Sequence, residues 1–177
     1  LKLSKPVSFT SYISPVCLAA SNSTFSSGVN TWITGWGTFG SGVPLPSPQN
    51  LMEVEVPVVE NSLCNSSYGE NIITDNMICA GLQERAKDSC QGDSGGPMVS
   101  KQCDRWIQAG IASFGTRCAE PNIPGVYTRV SQYESWINGV ISGNQPGFIS
   151  FTSSGIGGDL NATTKTPTTL ATSTPPE

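Results

Sequence analysis

Asp88-Ser89-Cys90-Gln91-Gly92-Asp93-Ser94-Gly95-Gly96-Pro97 concentrates more chemistry than any other part of the 177-residue chain. A serine stands among glycines, beside an aspartate and just downstream of a cysteine. Glycines let a backbone turn tightly and bring N–H groups close to a reacting carbonyl, so the pattern suits a hydroxyl nucleophile beside an oxyanion hole. A neutral hydroxyl is a weak nucleophile unless an adjacent base takes its proton. The chain contains no histidine, so that base is missing from it.

The decapeptide resembles the nucleophile loop of trypsin-like serine endopeptidases, the chymotrypsin-fold family for which the Ser-His-Asp mechanism is described. Thr34-Gly35-Trp36-Gly37, Met77-Ile78-Cys79-Ala80-Gly81, Ser113-Phe114-Gly115 and Pro124-Gly125-Val126-Tyr127-Thr128-Arg129-Val130 follow the family's order and spacing. The match runs from about Leu1 to Ser142 and resembles the C-terminal half of a protease domain. The family's histidine and catalytic aspartate are then expected upstream, in a missing N-terminal half of the same domain.

The resemblance implies roles residue by residue. Ser94 is the nucleophile, and the amides of Gly92 and Ser94 form the oxyanion hole; losing one such donor elsewhere costs about 2.7–4 kcal/mol. Asp93 accepts the ammonium of a newly cleaved N-terminus; with no such terminus here, it is expected to lack that partner. Asp88 floors a pocket for Lys or Arg, with Ser89 adding a hydroxyl. Gly115 and Gly125 leave room along its walls, and Ser113-Phe114-Gly115 is the edge that pairs with substrate backbone. Arg117, where relatives often carry glycine, and Phe114, where tryptophan is commoner, are departures. The implied partners are polypeptides with Lys or Arg at the cleavage site and protein protease inhibitors, and no metal or organic cofactor is implied. The resemblance also implies the bridges Cys64–Cys79 and Cys90–Cys118, contributing about 3 to 3.6 kcal/mol each on the loop-closure model. A third family bridge falls on Thr31 and Ser100, neither a cysteine. Cys17 matches a position that tethers a propeptide in many relatives; Cys103 has no counterpart, leaving a free thiol, a bond to Cys17 or a bond to another chain open.

Two other classes compete. Gly92-Asp93-Ser94-Gly95-Gly96 also fits the Gly-x-Ser-x-Gly elbow of α/β-hydrolases. That fold needs a histidine downstream and a helix directly after the serine, whereas Pro97 opens a strand pattern. A catalytically dead homologue serving as a secreted binding module is the stronger rival, and the upstream sequence separates it from a protease.

Charge and composition narrow the partners. Nine basic against thirteen acidic residues give a net charge of −4, with no basic cluster to hold nucleic acid or an anionic membrane. No apolar run approaches the ~18 residues of a membrane span. Six cysteines and sequons at Asn22, Asn65 and Asn161 point to an oxidising secretory route, with the product extracellular, secreted or surface-tethered.

The elements that must position Ser94 read as strands. Met52, Val54, Val56 and Val58 alternate with Glu53, Glu55 and Pro57, the period of a half-buried strand. Thr31–Thr34, Met77–Cys79, Pro97–Ser100, Trp106–Phe114 and Val126–Val130 are further candidates. Six short strands without long helices predict an all-β fold, a closed antiparallel barrel, and the resemblance implies that this is the C-terminal, Greek-key barrel of a two-barrel fold. A short helix near Glu60–Ser66 and a longer one over Ser131–Ile141 are predicted. Ser131 and Glu134 suggest a capping box for the latter, and Tyr133, Trp136, Ile137, Val140 and Ile141 an apolar face for the core. The chain divides into 1–30, the end of a first barrel and a linker; 31–144, the second barrel with its helix; and 145–177. This last stretch, rich in Ser, Thr and Pro, cannot offset by burial about 1–2 kcal/mol of ordering entropy per residue, which predicts a disordered, O-glycosylated stalk.

Overall fold

A computed structural model describes residues 2–38, 42–81, 91–115 and 123–153. Its strands are β1 (Cys17–Ala19), β2 (Asn30–Gly35), β3 (Met52–Val59), β4 (Met77–Ala80), β5 (Pro97–Gln102), β6 (Arg105–Phe114), β7 (Gly125–Arg129) and β8 (Phe148–Ile149). The helices are α1 (Asn61–Tyr68) and α2 (Glu134–Val140), the latter entered through a 3₁₀ turn at Val130–Tyr133.

Antiparallel pairs run β5–β2–β3–β4–β7–β6, and β6 returns to β5, so the six expected strands close into a barrel. Closure removes the edges that six short strands would otherwise expose. β3 shows how sequence sets register. Val56 and Val58 point inward and are buried, while Glu53 and Glu55 face water. A one-residue slip would turn both glutamates to the inner face, with Glu55 carried into the buried position of Val56. The interior is filled by Ile33, Val56, Val58, Ile78, Met98, Ile107 and Tyr127. Gly110 lets them close up, because a Cβ there would lie 2.9 Å from both Met98 Cε and Tyr127 Cβ. A smaller cluster of Cys64, Ile73, Cys79 and Val126 seats α1, pinned by the Cys64–Cys79 disulfide.

Thr31 and Ser100 are both buried, one step along from the Trp32↔Val99 pair. The Thr31 hydroxyl donates to the Val56 carbonyl at 2.7 Å and the Ser100 hydroxyl to the Asn30 carbonyl at 2.8 Å. Both buried hydroxyls are thus satisfied by backbone carbonyls. Cys17 is half-buried on β1 and Cys103 exposed, both as free thiols; Cys90 and Cys118 lie outside the described residues.

Three features depart from expectation. First, the tail does not lose order at Gln145. Residues 147–153 run back along 18–26 as a strap: β8 pairs in parallel with β1, and Phe151 stacks on Phe25 at 4.4 Å between ring centroids. The amides of Leu18, Ala20 and Thr24 donate to the carbonyls of Gly147, Ile149 and Phe151. Few apolar residues suffice because the backbone of a preceding segment supplies the bonds. Residues 154–177, with Asn161, lie outside the described residues.

Second, no capping box forms at Ser131. That residue is buried inside the 3₁₀ turn, and Glu134 instead accepts the backbone N–H of Ser21. Third, the apolar face of α2 is not core. Tyr133 and Ile137 are half-buried, but Trp136 and Val140 are 66 % and 65 % exposed, with no covering element among the described residues. No described helix is long and apolar enough to cross a membrane.

Candidate active site

Residues 91–96 form the turn that feeds β5. The Gly96 N–H donates to the Asp93 carbonyl at 2.8 Å, closing a four-residue turn with Ser94 and Gly95 at its corner. Gly95 has φ +83° and Gly92 φ +102°, a region that L side chains rarely enter. Gly96 is required for a different reason, since a Cβ there would lie 2.8 Å from the Asp93 carbonyl oxygen. The turn hangs on β6: Gly95 N–H donates to the Ala112 carbonyl at 2.8 Å and Ala112 N–H to the Gly96 carbonyl at 2.9 Å. Ser94 is thereby exposed at a corner whose two sides are fixed. Among the described residues, neither the Gly92 nor the Ser94 amide donates to another protein group.

Asp93 turns the other way. Its Oδ1 accepts the Gly37 N–H at 2.8 Å, a backbone donor that the sequence reading did not name. The carboxylate fills a cradle over Gly35 and Gly37, where a Cβ on Gly37 would lie 2.5 Å from Asp93 Oδ2. Thr38 N–H to the Gln91 carbonyl, at 2.9 Å, ties the same two segments together. Thr34-Gly35-Trp36-Gly37, singled out in the sequence without a role, is the receptor for the Asp93 side chain. The signal was the glycine pair itself, spaced to leave two adjacent gaps.

β6 continues beyond the turn as a wall. β7 pairs it through Ala112↔Tyr127 and Phe114↔Val126, so Ser113 is the extra residue of a bulge, a device common beside sites because it re-aims side chains. Ser113, Phe114 and Gly115 are exposed, whereas Gly125 is buried at the start of β7. β5 pairs with β6 only as far as Ile111. Tyr68, which sequence reasoning missed, buttresses this wall from α1. Its ring meets Phe114 edge-on at 5.8 Å and its hydroxyl donates to the Pro124 carbonyl at 2.7 Å. No local pattern links residues so far apart in sequence. Asp88, Ser89 and Arg117 lie outside the described residues.

Behind the wall, Arg129 locks α1 to the barrel, donating to the Met77 carbonyl and to Asn61 Oδ1. Burial lowers the pKa of its guanidinium, with Asp75 and Glu60 opposing.

The Trypsin family profile matches residues 1–137. Mouse (Mus musculus) tryptase is 49 % identical over 146 residues, covering 78 % of this chain and 53 % of the tryptase. Human (Homo sapiens) serine protease 41 is 42 % identical over 151 residues, 82 % of this chain and 48 % of its own length. Human testisin is 44 % identical over 142 residues, 77 % of this chain and 45 % of testisin. The chain thus spans about half the length of the curated relatives it matches.

Proposed function

The chain belongs to the trypsin family of serine proteases, and from that premise we propose that its whole protein hydrolyses peptide bonds after Lys or Arg. The observation that carries this reading is the corner on which Ser94 stands, fixed to β6 and to the Asp93 cradle. Ser94 Oγ attacks the substrate carbonyl while the amides of Gly92 and Ser94 stabilise the oxyanion. Both amides are uncommitted among the described residues, which supports that assignment. Ser113–Gly115 aligns the substrate backbone, Gly115 and Gly125 leave space for a long side chain, and Asp88 with Ser89 holds its cationic end. On activation Asp93, seated here on the Gly37 amide, accepts the ammonium of a newly cleaved N-terminus.

A base must take the Ser94 proton and return it to the leaving amine. With no histidine in the 177 residues, that base and its orienting aspartate belong to the other half of the domain. The cysteine content and sequons support a secreted or surface-tethered location and, with polypeptide substrates, protein inhibitors as partners.

A fluorophosphonate probe on the activated full-length protein tests this. Labelling at Ser94, lost in Ser94→Ala, with turnover of Lys and Arg substrates, is the expected result. A folded, activated protein that stays unlabelled is the binding module instead. Labelling with preference for apolar substrates refutes the role of Asp88 alone.

A further inference from the structure

Two sequons fall on described residues, and their asparagines are held in opposite ways. Asn65 lies within α1 and is half-buried. Its Nδ2 donates to the Ile73 carbonyl at 3.2 Å, while its Oδ1 accepts the Ile73 N–H at 2.8 Å. Both ends of the amide therefore grip one residue in a closed ring of two hydrogen bonds. This arrangement fixes the amide's orientation, because the reversed one would set donor against donor. Next to it, the Cys64–Cys79 bridge holds α1 on the strand that follows Ile73.

Attachment of an oligosaccharide turns the side-chain amide into a secondary amide, which, like a peptide, is trans. The sugar carbon then takes the place on Nδ2 that lies on the same side as Oδ1, and the remaining hydrogen points to the opposite side. The ring with Ile73 uses the hydrogen on the Oδ1 side. A sugar on Asn65 and the grip on Ile73 thus exclude each other, because the cis amide that would reconcile them is disfavoured on the order of 10²-fold.

Asn22 has none of these constraints. It is exposed in the turn after β1, and its Oδ1 accepts the hydroxyl of Ser150 in the strap. A trans glycosyl amide keeps that oxygen as an acceptor.

We propose that, of the two sequons on described residues, Asn22 carries the N-linked oligosaccharide and Asn65 is bare in the folded protein, where a sugar is incompatible with the grip on Ile73. The inference rests on the secretory route put forward above. In the transfer, Nδ2 of Asn22 attacks the anomeric carbon of a lipid-diphosphate-linked oligosaccharide. An N–C bond forms, the C–O bond to the diphosphate breaks with its electron pair leaving on the diphosphate, and the amide releases one proton.

The test is the full-length protein secreted from an animal cell line, treated with peptide N-glycosidase in heavy-oxygen water and read by peptide mass spectrometry. The expected result is the enzymatic mass tag on the Asn22 peptide and none on the Asn65 peptide. Asn22→Gln is expected to remove one glycan step on a gel, and Ser67→Ala, which destroys the other sequon without touching Asn65, to remove none. A tag on Asn65 in the secreted protein overturns the selectivity. A secreted protein bare at both positions overturns the proposal as well, and there an oxidised Cys64–Cys79 pair leaves the secretory route standing, while free thiols at both cysteines refute the route too.

Discussion

Asp93 and Ser94 are neighbours, one seated on Gly35 and Gly37 and the other exposed, and the glycines around them explain both placements. Gly35 and Gly37 make the cradle, so Gly37→Ala in the full-length protein drives a methyl group into the carboxylate. The expected cost is about 1–3 kcal/mol, as for other overpacked sites, read as a lower urea midpoint together with weaker probe labelling of Ser94. Arg129→Met probes a different requirement. It strips the donor from the Met77 carbonyl and from Asn61, with an expected loss of about 1–3 kcal/mol in denaturant unfolding. The tight turn around Ser94 was legible in the sequence, because its geometry is local: Gly92 and Gly95 take positive φ, and a Cβ on Gly96 would meet the Asp93 carbonyl only 2.8 Å away. The partner of Asp93 was not legible, since the Gly37 amide reaches it only after β2 and β5 have paired.

Elements with a strong period were equally readable. β3 announced itself by Val54, Val56 and Val58, and all six barrel strands fall where alternation and turn residues put them. β1 and β8, three and two residues long, have no period to show, and their pairing depends on contacts between segments far apart in the chain. Phe151 is what anchors that strap, so Phe151→Ala is expected to cost about 3 kcal/mol. Amide exchange of residues 147–153 should accelerate ahead of the barrel, and an unchanged exchange pattern would show that Phe151 is dispensable. At the β2–β5 junction, Thr31→Cys with Ser100→Cys tests whether the two hydroxyls occupy a true bridging position. The oxidised double variant is expected to gain up to about 4 kcal/mol over its reduced form, the ceiling for so long a loop, as a shift in urea midpoint. For α2 the apolar stripe was legible but its destination was not: spacing shows that a face is apolar and is silent about which neighbour covers it.

At the scale of the molecule, Trp136 and Val140 on α2, with Leu3, Phe9 and Tyr12 before β1, are exposed apolar side chains. Where such side chains are contiguous they mark an interaction surface, and the preceding barrel that the family resemblance implies is the cover to test for. The 177-residue chain expressed alone is expected to bind an apolar dye and to leave Trp136 open to iodide quenching. The full-length protein should show less of both, with Trp136→Phe isolating that residue's share. Equal quenching in the two would show that nothing in the full-length protein covers Trp136. The strap has a geometric corollary. Gln102 holds it from the last position of β5, with Nε2 donating to the Ser150 carbonyl and Oε1 accepting the Thr152 N–H. Ser94 precedes the first position of β5, five steps away, or about 17 Å at roughly 3.3 Å per residue. The strap therefore lies at the pole of the barrel opposite Ser94. A molecule held by that end turns Ser94 outward, toward whatever diffuses past.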